Sequence, residues 1–255
     1  GVVAARLAIR FTEGRRAAAK PATSSQESER RGGIGELLDS ALVALALVFF
    51  VIKPFVVQAF WIPSISMEDT LLVGDRVVVN RFVYRFSEPR RGDIVVFRAP
   101  PEADEEEKEF IKRLIGLPGD RIRISRGTLF VNGQPVEEPY IAERPLYTFP
   151  SPPPRRHMGS GRYTYPTRES VTGAIIVWTV EDGQVVVPEG HYLMLGDNRN
   201  KSHDGHQWGF VPRDRLVGRA MFSFWPPHRI RAFEWPGGVA ALDQRGGGAP
   251  SEPDP

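Results

Sequence analysis

Thirteen consecutive uncharged residues, Ser40 to Ile52, lie within "ELLDSALVALALVFFVIKPFVVQAFW" and constrain the chain more than any other stretch. At about 1.5 Å per residue they alone fall short of a hydrocarbon core of about 30 Å. Continuing through Lys53 to Val57 or beyond supplies the length. A lysine near a helix end can keep its ammonium at the interface, and Phe60 and Trp61 suit an aromatic belt. The sequence therefore predicts a single transmembrane helix over 35–60. A buried or interfacial helix and a cleaved signal peptide are the competing readings. Lys20, Arg30 and Arg31 precede the run. The cytoplasmic bias of basic residues then puts the N-terminal end inside and everything from about residue 60 outside.

The flanking composition differs sharply. Residues 1–34 are rich in Ala, Arg, Ser and Gly, with little to bury, and read as a disordered cytoplasmic arm or as a targeting segment. Downstream, short apolar runs alternate with turn signals: "DRVVVNRF", "GDIVVFRAP", "EFIKRLIGL", "DRIRIS", "TLFVNGQPV", "QVVVPEGHYLMLGD" and "RLVGRAMFSFW". This is the pattern of a mainly β protein. Asn132–Gly133 between apolar runs is a hairpin signal. From 142 to 183 the alternation gives way to a Pro- and Arg-rich segment that reads as an inserted β or irregular cap. This leaves 61–141 and 184–235 as the main β domain and 236–255 as a disordered tail. With 33 Lys and Arg against 31 Asp and Glu, a formal charge of +2 argues against nucleic acid as a partner. The absence of cysteine removes disulfides, thiol nucleophiles and thiolate metal sites.

Three stretches carry residues capable of chemistry. Ser64 and Ser66 follow Pro63 just beyond the apolar run, and alternate positions of an extended segment would turn both hydroxyls to one side. Ordinary turn or helix-capping serines are the competing reading, since Glu68 and Asp69 follow. Lys112 shares a strand face with Phe110, opposite Ile111 and Arg113. On a surface strand it would be a plain cation; buried, it would have a lowered pKa and become a base near neutral pH. "GDNRNKSHDGHQWGFVP", Gly196 to Pro212, predicts a tight hydrogen-bonded loop. His203 and His206, with Asp204 the single carboxylate between them, make a poor metal site, and no metal or organic cofactor is expected.

Together these stretches resemble the type I signal peptidases, membrane-bound serine endopeptidases that cut signal peptides from exported proteins. The resemblance covers about residues 36–225. The family's nucleophile box is matched by Pro63, Ser64, Ile65, Ser66, Met67, Glu68, Asp69, Thr70 and Leu71. It implies Ser66 as nucleophile, and Ser64 with the Ser66 backbone N–H as oxyanion hole. "IKRLIGLPGD" places the general base on Lys112; in "GDNRNKSHDG", Ser202 matches a serine that hydrogen-bonds the lysine and Asp204 an aspartate that orders the loop. The implied substrate is an extended signal peptide of an exported preprotein, bound near Ile62, Pro63, Met67, Phe110 and Ile111 and cut after small residues in an Ala-x-Ala pattern. The lipid bilayer is the other implied partner, in a plasma membrane or a thylakoid. Asp69 departs from the family's usual proline, which should loosen the turn after Ser66. Asn200, Gly205 and His206 stand where many bacterial members have Asp, Ser and Arg, and resemble the cyanobacterial and thylakoid branch; a pair between Asp204 and His206 would be sensitive to pH. A self-cleaving repressor of the Ser–Lys type and an inactive membrane-anchored β module are the rival readings. The first would need a helical DNA-binding domain, which the sequence does not display.

Overall fold

The computed structural model describes residues 38–48, 57–151, 162–169 and 175–233. The expected arm 1–34 and tail 236–255 lie outside these residues, as do 35–37 and 49–56 of the expected span. Residues 38–47 are helical, with Leu42, Val43, Leu45 and Leu47 exposed. No described helix is long and apolar enough to cross a membrane.

The expected helix does not reach residue 60: Val57–Trp61 is strand β1. It pairs antiparallel with β2 (Arg76–Asn80), from Val57 opposite Asn80 to Trp61 opposite Arg76. The physical reason lies in VQAFW itself, whose positions alternate in exposure and whose backbone finds a complete ladder in β2. The alternation turns Phe60 inward to pack on the core, against its expected place in an aromatic belt, and leaves Trp61 outside.

Two antiparallel sheets make up the rest of the described chain, with strands numbered in chain order. The first runs β1, β2, β13 (Leu216–Trp225), β3 (Ile94–Arg98), β4 (Glu109–Gly116), β11 (His191–Leu195) and β12 (Val211–Pro212), with β14 (Arg231–Ala232) added to β13. The second runs β7 (Gln134–Val136), β6 (Thr128–Val131), β5 (Arg121–Ser125), β10 (Gln184–Val186), β9 (Ile175–Glu181) and β8 (Arg162–Glu169). The sequence boundary at 142 therefore requires correction. Residues 121–136 belong to the sheet that also contains the inserted strands, because β5 pairs with β10 across about sixty intervening residues. Such pairing leaves no local mark. The β6–β7 turn conforms to expectation: Asn132 and Gly133 both have positive φ, 52° and 79°, as a two-residue hairpin requires.

Burial follows strand alternation. Val95 and Phe97 of β3 enter a large core shared with Ile122, Ile124, Leu129 and Val180 of the second sheet. Ile94 and Val96 enter a smaller core with Ile62, Met67, Leu71, Val77 and Val79. Two features then prepare the site. The β1–β2 connection is a closed loop, pinned at its base by Ile62 N–H to Asp75 O and Gly74 N–H to Ile62 O, each 2.9 Å. Strand β4 pairs with β3 along Glu109–Arg113, but with β11 only from Arg113 onward. One backbone edge of Glu109–Lys112 is therefore outside both ladders.

Candidate active site

The closed loop and β4 bring Ser66 to Lys112. Lys112 Nζ donates to Ser66 Oγ at 2.5 Å, and both side chains are buried. Ser64 Oγ lies 3.2 Å from Ser66 Oγ. The convergence expected of the two serines is present, but its origin differs from simple strand alternation. Ile65–Met67 forms a single 3-10 turn entered from an extended Ser64. That turn, rather than a strand, brings the two hydroxyls together. Ser64 makes no side-chain cap to the turn, so helix capping does not account for it.

Lys112 and Phe110 share a face of β4, as expected, with the ammonium 5.8 Å from the ring centroid. Burial lowers the Lys112 pKa from 10.5 to about 8, while the charges of Asp204 and Asp197 act in the opposite direction. A cleft of about 350 Å³ opens onto the pair, with Pro63, Ser64, Ile65, Phe110 and Ile111 in its walls. Two residues expected there are elsewhere. Ile62 and Met67 are almost completely buried in the smaller core, because the 3-10 turn points Met67 inward and Ile62 closes the base of the loop.

The loop after β11 completes the site from the other side. Asp204 is wholly buried; its Oδ2 accepts from Gly196 N–H at 2.8 Å and its Oδ1 lies 2.6 Å from His206 Nδ1. Burial opposes its ionisation, but the hydrogen bond and charge of His206 and the Gly196 N–H outweigh burial and hold the carboxyl below its usual range. Tyr147 stacks on the His206 ring at 4.0 Å. These contacts tie Asp204 to both Gly196 and His206 within the loop. Ser202 departs from expectation. It is buried beside Gly196, and its hydroxyl favours the Asp204 charge without reaching hydrogen-bond geometry; it makes no hydrogen bond to Lys112, whose ammonium is directed to Ser66. Gly196 is what allows this packing: a Cβ there would lie 2.4 Å from the Ser66 carbonyl oxygen and 2.1 Å from Ser202 Oγ.

A supporting network escaped the sequence reading. Arg113, next to Lys112 but on the opposite face of β4, donates through Nε and Nη2 to Asp197 at 2.8 and 2.6 Å, and Thr70 Oγ1 reaches the same carboxylate at 2.5 Å. Asn198 N–H donates to Ser66 O at 3.2 Å, and its side-chain amide donates to Ile65 O at 3.1 Å. Buried Arg199 pairs with Glu138. The available signal was an arginine in an apolar strand, which can be buried only when paired. Sequence offered no partner for it. Among the described residues no group of His, Asp and Glu is arranged to hold a metal.

The family model described as signal peptidase, peptidase S26, matches residues 34–225. Probable signal peptidase I-2 of Synechocystis sp. is 40% identical over 195 residues, covering 76% of this chain and 74% of its own. Signal peptidase I of Leptolyngbya laminosa is 38% identical over 219 residues, covering 83% and 89%. Signal peptidase I of Aquifex aeolicus is 34% identical over 218 residues, covering 74% and 83%.

Proposed function

The chain belongs to the signal peptidase family, peptidase S26, and from that premise we propose that it is a membrane-anchored endopeptidase in which Ser66 is the nucleophile and Lys112 the general base. Its substrates are the signal peptides of exported preproteins. The observation that carries the assignment is the 2.5 Å contact between Ser66 Oγ and a buried Lys112 whose pKa falls to about 8. A lysine in water, near 10.4, is almost wholly protonated at neutral pH and cannot accept a proton. Buried, Lys112 is neutral in part of the population and takes the Ser66 proton as Oγ attacks the scissile carbonyl.

Negative charge then develops on the carbonyl oxygen. Ser64 Oγ and the Ser66 backbone N–H are the donors at hand, and the Ser64 hydroxyl turns from Ser66 to the oxyanion. When the tetrahedral intermediate collapses, the C–N bond breaks and the Lys112 ammonium protonates the departing amine. Neutral Lys112 next deprotonates a water that attacks the acyl-enzyme ester, releasing the carboxylate and restoring Ser66. Asp204 and Ser202 hold the loop behind the pair without entering these steps.

An extended substrate fits the unpaired edge of Glu109–Lys112 by strand addition, its alternate side chains meeting the apolar walls of Ile65, Phe110 and Ile111. Small residues just before the cut suit this cleft, in accord with an Ala-x-Ala preference. Membrane apposition is supported by Trp61 and Trp225, 61% and 49% exposed, which face Arg76 from either side, and by Phe222 beside Val78 in the same strands. The apolar run enters β1, the strand of Trp61, only a few residues later in sequence.

The test is cleavage of a preprotein by the full chain in detergent. Ser66→Ala and Lys112→Arg should both be inactive, the second because a guanidinium cannot be deprotonated at accessible pH. Turnover by either variant near the wild-type rate would refute the assignment.

A further inference from the structure

Residues Pro226–Phe233 lie beyond the matched region 34–225, yet they reach back to the loop that carries Ser66. We propose that this segment is a clasp in which Arg231, assisted by Arg229, is a positioning residue that holds Ser66 against Lys112. The proposal rests on the assignment of Ser66 as nucleophile.

Arg229 secures the base of the loop. Its Nε and Nη2 donate to Asp75 Oδ1 at 2.8 and 2.7 Å. Asp75 is buried, its Oδ2 accepts from Leu72 N–H at 2.9 Å, and its backbone carbonyl closes the loop on Ile62. Arg231 secures the opposite end. Its Nη2 donates to Asp69 O at 2.9 Å and also to Thr70 O.

Asp69 is where the loop is least stable by itself. Its φ of 79° lies in the left-handed region, which costs a non-glycine residue roughly 1–2 kcal/mol. The guanidinium fastens the carbonyl of this residue and of the next. Thr70 is held from the other side as well, through Oγ1 to Asp197. Motion at 69–70 passes directly to the nucleophile's neighbour, because Thr70 N–H and Leu71 N–H both donate to Met67 O, at 3.1 and 2.6 Å. The clasp itself is anchored: Phe233 N–H donates to Met221 O at 2.9 Å, and Phe233 packs on the core that contains Met67.

Arg231 is exposed, so its removal takes little from the core; the loss should appear in catalytic geometry. A misplacement on the order of 1 Å at a reacting group costs roughly 100-fold in rate. The experiment measures kcat, KM and Tm of the full chain in detergent on a signal-peptide substrate. Arg231→Ala should lower kcat about 10- to 100-fold, with KM and Tm close to wild type. Arg231→Lys should recover most of the loss, since an ammonium can donate to the same two carbonyls. Unchanged kcat in Arg231→Ala overturns the clasp, as does a loss confined to KM or one that Arg231→Lys leaves in place. Should Arg231→Ala fail to fold, Arg231→Met, which keeps an apolar stem and removes every donor, replaces it under the same criteria. Ser66→Ala measured in parallel separates the two levels: full turnover there refutes the nucleophile itself, whatever Arg231 does.

Discussion

Lys112 sits in apolar surroundings within the fields of Asp204 and Asp197; burial lowers its pKa, the carboxylates raise it, and burial prevails, to about 8. Two measurable consequences share this origin. Because kcat/KM reports ionisations of the free enzyme, activity should rise with pH through a single step near 8 as Lys112 loses its proton. A profile rising only near 10 would mean a solvated lysine and a different base. Stability follows the same ionisation with a definite sign. The unfolded chain accepts a proton near 10.5 that the folded chain refuses until about 8, so the group destabilises the fold most below pH 8 and the penalty disappears as pH rises through 10.5. The gap corresponds to about 3 kcal/mol. Lys112→Met should therefore unfold at higher denaturant concentration than wild type at pH 7, with the difference shrinking between pH 8 and 10.5. A difference independent of pH would show that burial costs the ammonium nothing.

At the scale of elements, the site is a meeting of three backbones: the closed 62–75 loop, the outer half of β4 and the loop after β11. The narrowest point is Gly196, where a methyl group would collide with the Ser66 carbonyl and Ser202. Gly196→Ala should reduce kcat about 100-fold or more by displacing the nucleophile. A crystal structure of the variant should show the Ser66–Lys112 contact lengthened; retained activity would mean that the loops yield without consequence. Asp69 supplies the second element-level test. The sequence suggested a loosened turn where proline is usual in the family, but the structure gives Asp69 a positive φ and fastens its carbonyl to Arg231. Proline, fixed near −65°, cannot adopt that conformation, so Asp69→Pro should lower both Tm and activity, whereas Asp69→Gly should preserve Tm. Higher Tm in Asp69→Pro would show that the turn readily takes the other form.

For the whole molecule, the arrangement joins the cleft at Ser66 and Lys112 to exposed tryptophans on the same sheet. Trp61 ends β1 three residues before Ser64, and Trp225 lies across β2 from it. Tryptophans favour the membrane–water interface, where an amphipathic ring meets both phases. Replacing both by serine should slow processing of a bilayer-inserted preprotein about tenfold, at roughly 1 kcal/mol for the lost interfacial contacts, while cleavage of a short soluble peptide stays unchanged. Equal losses on both substrates would place the tryptophans in substrate binding rather than at the lipid.

Much of this was written locally in the chain. Short apolar runs bounded by turn signals announced β2, β3, β4 and β13, and the Asn132–Gly133 pair announced its hairpin, because strand preference and turn dihedrals depend on neighbours in sequence. The presence of serines and a lysine capable of the chemistry was equally legible, as was the absence of any thiol. The tertiary structure decided where those residues stand. Ser66 and Lys112 lie 46 positions apart, and only the fold closes that distance. It also buried Ile62 and Met67, directed the Lys112 ammonium to Ser66 instead of Ser202, moved 121–136 into the second sheet and supplied Asp197 as the partner of Arg113. Strand pairing between distant segments and the free energy of a charge away from water are set by what surrounds a residue in space, and adjacent residues in the chain do not encode either one.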